Sequence, residues 1–137
     1  MKNRVKFIFF QNSMTFRSYF FHFFQKDIVL NEFFPRKTVT LAQGEVIKYG
    51  QALVYDTTAG KYKKYDSSTP GGKLPKTFYV GADEDVDAST EDVKIQVVRA
   101  SDIDGKLVVG VTDTDYAALD NLDKYGINVR FDNIEAK

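Results

Sequence analysis

The chain has 137 residues, of which 43% are hydrophobic and 28% are charged, as in an ordinary globular protein. This length accommodates one compact domain with an extension, and hardly two domains. The chain contains no cysteine and a single histidine, His22, which excludes disulfides and cysteine nucleophiles and leaves little for zinc sites or a Ser-His-Asp triad. We therefore expect a protein that is not an enzyme and that uses no metal or cofactor.

The net charge of zero hides an asymmetry along the chain. Residues 1–37 carry seven Lys/Arg and two acidic residues, a net charge of +5. Residues 38–137 carry twelve Lys/Arg and seventeen acidic residues, a net charge of −5. Such a split is more typical of an interaction tail than of an enzyme. We therefore predict a basic, Phe-rich N-terminal arm (residues 1–37) followed by a β-rich domain (residues 38–137).

Ten of the twelve phenylalanines lie at or before Phe34. A membrane-spanning helix needs about 20 predominantly apolar residues, and polar residues interrupt every window of that size here, so we expect no membrane span. The apolar run Phe7–Phe10 is short for a signal peptide, and no small-residue cleavage site follows it. In an amphipathic interfacial helix, the aromatic residues would cover nearly the whole circumference and leave only a narrow polar face.

Two interpretations of the arm remain open. Phe, Lys, Asn and Ile are residues that AT-rich DNA encodes, so residues 1–31 are on one interpretation translated upstream sequence from a misplaced start. On the other interpretation the arm is genuine, and its aromatic side chains dock on a partner, because they would otherwise promote aggregation.

From Thr38 onward the sequence predicts short strands joined by turns. Thr38–Leu41 is rich in β-branched residues, which favours a strand. Ala52–Tyr55 and Lys61–Tyr65 flank the segment Asp56–Gly60, in which Asp and Thr favour a turn and the final glycine takes positive φ. We therefore predict a β-hairpin over residues 52–65.

The next segments predict a loop and further strands. Residues 66–76 contain two prolines and two glycines and are expected to form a loop. Phe78–Val80 and Val93–Val98 are predicted strands. The dipeptide Asp104-Gly105 favours a two-residue turn, which would lead from a strand ending at Ile103 into Leu107–Val109 as a hairpin.

One helix is predicted near the end of the chain, with Asp113 or Thr114 as its N-cap. Its apolar positions recur every three residues, at Tyr116, Leu119, Leu122 and Tyr125. Gly126 lies where a helix commonly takes a left-handed C′ residue, and Ile127–Phe131 alternates as a final strand. About seven short strands, one helix and no parallel βαβ spacing predict a mainly β, α+β domain.

None of the short motifs that could indicate a metal, nucleotide or nucleic-acid site matches its pattern well. The acidic run 83–87 lacks the glycine and the terminal glutamate of a calcium-binding EF-hand loop, so we expect a solvated acidic loop. Asp113-Thr114-Asp115 is explained by the preference of helix N-termini for acidic residues. The glycines form neither a Walker loop nor a dinucleotide fingerprint. Lys61–Tyr65 interleaves basic and aromatic residues, but the domain around it is acidic, so we expect no nucleic-acid binding.

The order of several short motifs resembles that of lambda-type bacteriophage head decoration proteins. The segment 50–56 followed by Lys61-Tyr62 is similar to the first hairpin of that family, and the segment 80–88 is similar to its Val-Gly step and acidic stretch. Three later segments follow in the matching order: Val97–Ala100, Asp104–Leu107 and Gly126–Arg130. The resemblance covers residues 38–131.

The resemblance implies a β-clip-type domain that forms a homotrimer on the outer surface of an expanded head and stabilises it. Its partner would be the major capsid protein, and its location the virion, after synthesis in the host cytoplasm. In that family the segment before the first strand binds by adding a strand to a coat-protein sheet. By position, this role falls on the following residues: Phe33, Phe34, Arg36, Lys37, Thr38, Val39, Thr40 and Leu41.

Two alternatives from other functional classes stay in view. The first is a secreted or surface β-domain that binds a protein or carbohydrate, with residues 1–24 as targeting sequence. The second is a small enzyme that uses paired carboxylates, which would require acidic side chains to converge in a pocket.

Overall fold

A computed structural model of the protein describes residues 27–68 and 72–132. In these ranges the fold is mainly β with a single short helix, which confirms the predicted class. The elements, in chain order, are β1 Val29–Glu32, β2 Lys37–Leu41, β3 Val46–Lys48, β4 Ala52–Asp56, β5 Lys61–Lys64, β6 Thr77–Phe78, β7 Asp85–Asp87, β8 Val93–Val97, β9 Ser101–Asp104, α1 Tyr116–Lys124 and β10 Ile127–Arg130.

The largest sheet has five strands in the order β6-β4-β5-β2-β8 and curls until its two edges meet. Tyr79 bridges Val97, and the Val80 N–H donates to the Gln96 carbonyl at 3.0 Å. The predicted hairpin is confirmed, because β4 and β5 pair antiparallel around a turn in which Gly60 has φ +71°. Its Asp56 carboxylate accepts the backbone N–H groups of the turn.

A second sheet, in the order β1-β9-β10, corrects two predictions. β10 runs parallel to β9, and α1 lies in the connection between them, so the expectation of no parallel βαβ spacing is wrong. The turn at Asp104-Gly105 forms, but the predicted hairpin does not. Instead, the segment after the turn runs to the start of β4, where the Ala52 N–H donates to the Val109 carbonyl at 2.9 Å.

The helix buries only part of the face that its spacing predicted: Leu122 is buried and Leu119 is partly buried against the core, but the two tyrosines are not. Ala118 and Leu122 are buried, whereas the rings of Tyr116 and Tyr125 are 73% and 48% exposed. The N-cap is Asp115 rather than Asp113 or Thr114, and its carboxylate accepts a hydrogen bond from the Tyr65 hydroxyl at 2.7 Å instead of capping the helix. The predicted left-handed glycine is confirmed, since Gly126 has φ +80°.

The acidic run 83–87 is part strand rather than wholly a loop. Asp85–Asp87 forms β7 and pairs antiparallel with β3. Because side chains alternate along a strand, Val86 is buried while the flanking carboxylates remain exposed.

Two clusters of buried side chains form the core. The first lies between the β1-β9-β10 sheet, the helix and one end of the curled sheet, and includes Ile28, Phe78, Ile103 and Leu122. The second fills the curled sheet and includes Leu41, Leu53, Tyr62 and Val97. The described part of the predicted arm is joined to the domain through β1, which pairs with β9, and through Ile28, which is fully buried. Residues 1–26 of that arm lie outside the described ranges.

This packing predicts a large cost for Ile28→Ala. Removing a fully buried isoleucine side chain loses transfer free energy and leaves a cavity, which together cost about 2–5 kcal/mol of unfolding free energy. Urea denaturation followed by fluorescence or circular dichroism measures the change. Val46→Ala, on the exposed side of β3, is the matched control and should cost about 0.5 kcal/mol or less. Equal losses in the two variants would contradict the burial of Ile28.

Candidate functional site

The described surface exposes two large apolar side chains in the turn between β1 and β2, residues 33–36, called here the aromatic turn. The two side chains are consecutive in sequence, Phe33 at 62% and Phe34 at 53% exposed. The Phe33 N–H donates to the Ala100 carbonyl at 3.1 Å, which fixes the start of the turn. Pro35 restricts the backbone between the rings and β2. Exposed aromatic side chains on a fixed backbone are typical of protein-binding sites.

A charged network holds the other end of the aromatic turn. The Arg36 guanidinium bonds the carboxylates of Asp27 at 3.1 Å and Glu32 at 3.0 Å. It also donates to the Val80 carbonyl at 3.1 Å, which ties the turn to the curled sheet. The Tyr49 hydroxyl donates to Asp27 at 2.7 Å. The network, called here the Arg36 anchor, therefore joins the segment before β1 to the turn after it.

The pKa values in the Arg36 anchor follow from these contacts. Burial acts to raise the pKa of Asp27, but hydrogen bonds from the Val29 N–H, the Tyr49 hydroxyl and Arg36 outweigh burial and lower the pKa. Burial and the bond to the Asp27 carboxylate raise the pKa of the Tyr49 hydroxyl. Asp27 is therefore held as an anion and Tyr49 as a neutral donor.

The eight residues predicted to bind a capsid divide into three groups. Phe33 and Phe34 are exposed, and Arg36 is half-buried within its anchor. The residues of the second group, Lys37, Thr38 and Thr40, are exposed or half-buried along β2. Val39 and Leu41 are buried in the second core cluster.

The position of β2 limits what this strand can add to another sheet. All five residues of β2 pair with β8, from Lys37 with Val97 to Leu41 with Val93. On its other side β2 pairs with β5 at one position, Leu41 with Tyr62. One edge of β2 is thus fully paired with β8, and the other edge is paired with β5 only at its C-terminal residue, Leu41.

A cleft of about 290 Å³ lies beside the aromatic turn. Its polar lining includes three cationic side chains, Lys37, Lys76 and Arg99, and its rings are Phe34, Tyr62 and Tyr125. One wall of the cleft is apolar and buried and consists of Val97, Val98 and Ile127. No acidic residue among those described lines the cleft. We call it the cationic cleft. Sequence analysis missed it, because its cations come from segments far apart in the chain, with no spacing that relates them.

The Arg36 anchor predicts a specific loss of stability in acid. Because the pKa of folded Asp27 lies below the ordinary value of 3.8, its anion stabilises the fold above that pH, and this contribution is lost as the pH falls further. Asp27→Asn should therefore lower the unfolding free energy at pH 7 and flatten its decline below pH 3.8. Denaturant unfolding at a series of pH values measures both effects.

Glu91→Gln is the control for this experiment, since it also removes one negative charge but lies in an exposed loop. The same flattening in both variants would assign the effect to net charge and contradict the role of the anchor.

The described residues contain no group of three or more His, Cys, Asp or Glu side chains placed to hold a metal ion. Within the same ranges, no helix has the length and apolarity needed to cross a membrane. No family model matches the sequence, and no curated protein is significantly similar to it.

Proposed function

We propose that this protein is a capsid decoration protein, which binds the outer surface of an expanded phage-like head through the aromatic turn and stabilises it. The observation that carries the proposal is the exposure of the consecutive residues Phe33 and Phe34, in the segment to which the family resemblance assigns capsid binding. The proposed partner is the major capsid protein, and the proposed assembly on the head is a homotrimer.

The physical argument is that the aromatic turn is organised before it binds. Its ends are held by the Ala100 carbonyl and by the Arg36 anchor, so little backbone freedom is lost when a partner covers the rings. Large aromatic side chains contribute most of the binding free energy at many protein interfaces. Val39 and Leu41 serve the domain core, so the apolar contact with the coat falls on the turn.

Strand addition remains part of the proposal in a restricted form. Because β2 is fully paired with β8, a coat strand can meet only its other edge, before the pairing of Leu41 with Tyr62. Lys37 and Thr38 at that end are exposed and would flank the contact. Main-chain hydrogen bonds there would add to the contact made by the two rings.

The test is reconstitution of purified protein with expanded empty heads, followed by a sedimentation assay and imaging of the heads. Phe33→Ala combined with Phe34→Ala should weaken binding by about thirtyfold or more, since hot-spot aromatics contribute about 2 kcal/mol or more. Because both rings are exposed, the variant should keep the wild-type unfolding midpoint. Tyr116→Ala removes another exposed ring, on the helix, and should leave binding unchanged.

Shortened chains separate the turn from residues 1–26. A chain that begins at Asp27 keeps Ile28, β1 and the Arg36 anchor, and we expect it to fold and to bind heads. A chain that begins at Thr38 loses all three and should be unstable. Its failure to bind would therefore not show which residues bind the heads. Loss of binding in the chain that begins at Asp27, with its fold intact, would contradict the proposal and assign binding to residues 1–26.

A further inference from the structure

We infer that the cationic cleft binds an acidic peptide segment of a partner protein. The carboxylates of the segment would meet Lys37, Lys76 and Arg99, and an apolar or aromatic side chain beside them would enter between the rings. The inference goes beyond the proposed function, because it specifies the chemistry of the bound segment and would hold for a partner other than a coat protein.

Two of the three cations are held in place by aromatic rings. Lys76 Nζ lies 4.8 Å from the ring centroid of Tyr55 and 5.0 Å from that of Tyr125. The backbone N–H of Lys76 also donates to the Leu53 carbonyl at 2.8 Å. Arg99 Cζ lies 5.5 Å from the ring centroid of Phe34. Cation–π contacts of this kind position a charge without neutralising it.

In the part of the chain that the structure describes, the cations of the cleft have no carboxylate partner, in contrast to two lysines of strand β5. Lys61 pairs with Asp92 at 2.7 Å, and Lys63 pairs with Asp56 at 3.3 Å. Among the described residues, by contrast, no carboxylate forms an ion pair with Lys37, Lys76 or Arg99. The positive charge of the cleft is thus uncompensated, and a carboxylate that binds there gains charge-assisted hydrogen bonds.

The apolar lining explains why the occupant should be a peptide segment rather than a free carboxylate. Rings from Phe34, Tyr62 and Tyr125 and the buried wall of Val97 and Ile127 offer a surface for an apolar side chain. A volume of about 290 Å³ is small for a drug-sized ligand and suits one or two side chains of a longer segment.

Charge and local geometry favour carboxylates over phosphates and nucleic acid. Sites for phosphate commonly use the backbone N–H groups of a helix N-terminus, whereas the cleft is lined by Tyr125, which directly follows the C-terminal end of α1. Nucleic acid requires a basic face that contacts many phosphates. The described residues carry thirteen Lys/Arg against eighteen Asp/Glu, a net charge of −5, so the domain as a whole does not offer such a face.

The inference is tested with the full chain and two synthetic pentapeptides, acetylated and amidated at their ends, of sequence EFDFE and KFKFK. Titration is followed by two-dimensional ¹⁵N–¹H NMR, which reports the fold and the bound site together. We expect EFDFE to shift the backbone amide signals of Thr77, Val98 and Ala100, and KFKFK to leave them in place. Each single substitution, Arg99→Gln or Lys76→Gln, should weaken binding about tenfold, the loss of one charge-assisted hydrogen bond.

Lys94→Gln is the matched control, because it removes an exposed lysine on β8 that does not line the cleft, and it should bind EFDFE as the wild type does. If either cleft variant is unfolded in its spectrum, Lys37→Gln replaces it. Three results would overturn the inference: no shift of the cleft amides with EFDFE, equal binding of KFKFK, or tighter binding of inorganic phosphate or a ten-nucleotide oligothymidylate at the same amides. Since no heads are present, these results are independent of capsid binding.

Discussion

Closure of the five-stranded sheet between β6 and β8 determines how the rest of the molecule is arranged. The Val80 N–H donates to the Gln96 carbonyl and the Val98 N–H to the Phe78 carbonyl, and the buried Thr77 hydroxyl donates to the Val98 carbonyl at 2.8 Å. Closing a sheet on itself satisfies strand edges that would otherwise pair with other chains. Because side chains alternate along a strand, Phe78 packs in the first core cluster and Tyr79 in the second. The contact between the β6 and β8 edges, called here the seam, therefore supplies side chains to both clusters.

The candidate binding surfaces are both built on this seam. Arg36 donates to the carbonyl of Val80 at the seam, and the Phe33 N–H donates to the carbonyl of Ala100, just after β8. The cationic cleft takes Thr77, Val97 and Val98 from the same place. A change that opens the seam would therefore disturb the aromatic turn and the cleft together, and Thr77 and Val98 belong both to the cleft and to the hydrogen bonds that close the sheet.

The parts of the fold that the sequence predicted well are those decided by local chemistry. The β4–β5 hairpin depends on Asp56 and Gly60 within its own turn, and the end of the helix depends on Gly126. The wrong predictions occur where pairing with a segment distant in sequence determines the structure. The turn at Asp104-Gly105 forms, yet the following segment pairs with the start of β4, a contact that no local pattern indicates.

The predicted boundary between the arm and the domain was also based on local composition alone. A basic, Phe-rich composition favoured an arm up to residue 37, and composition cannot show that Ile28 enters the core or that β1 pairs with β9. Within the candidate site, the exposed rings lie in the segment that the resemblance indicated. The cleft could not be predicted, because Lys76 and Arg99 are distant in sequence and lie together only in the closed sheet.

Phe34 makes the aromatic turn and the cationic cleft one continuous surface. Its ring is exposed at the turn, lines the cleft and lies under the guanidinium of Arg99. A partner that covers both rings thus brings its neighbouring residues over the cations, and acidic residues beside an apolar one would match both features. Phe33, in contrast, does not line the cleft, so its truncation separates apolar contact at the turn from recognition of carboxylates. A partner that used the rings alone would be insensitive to Arg99, and one that used the cleft alone would be insensitive to Phe33.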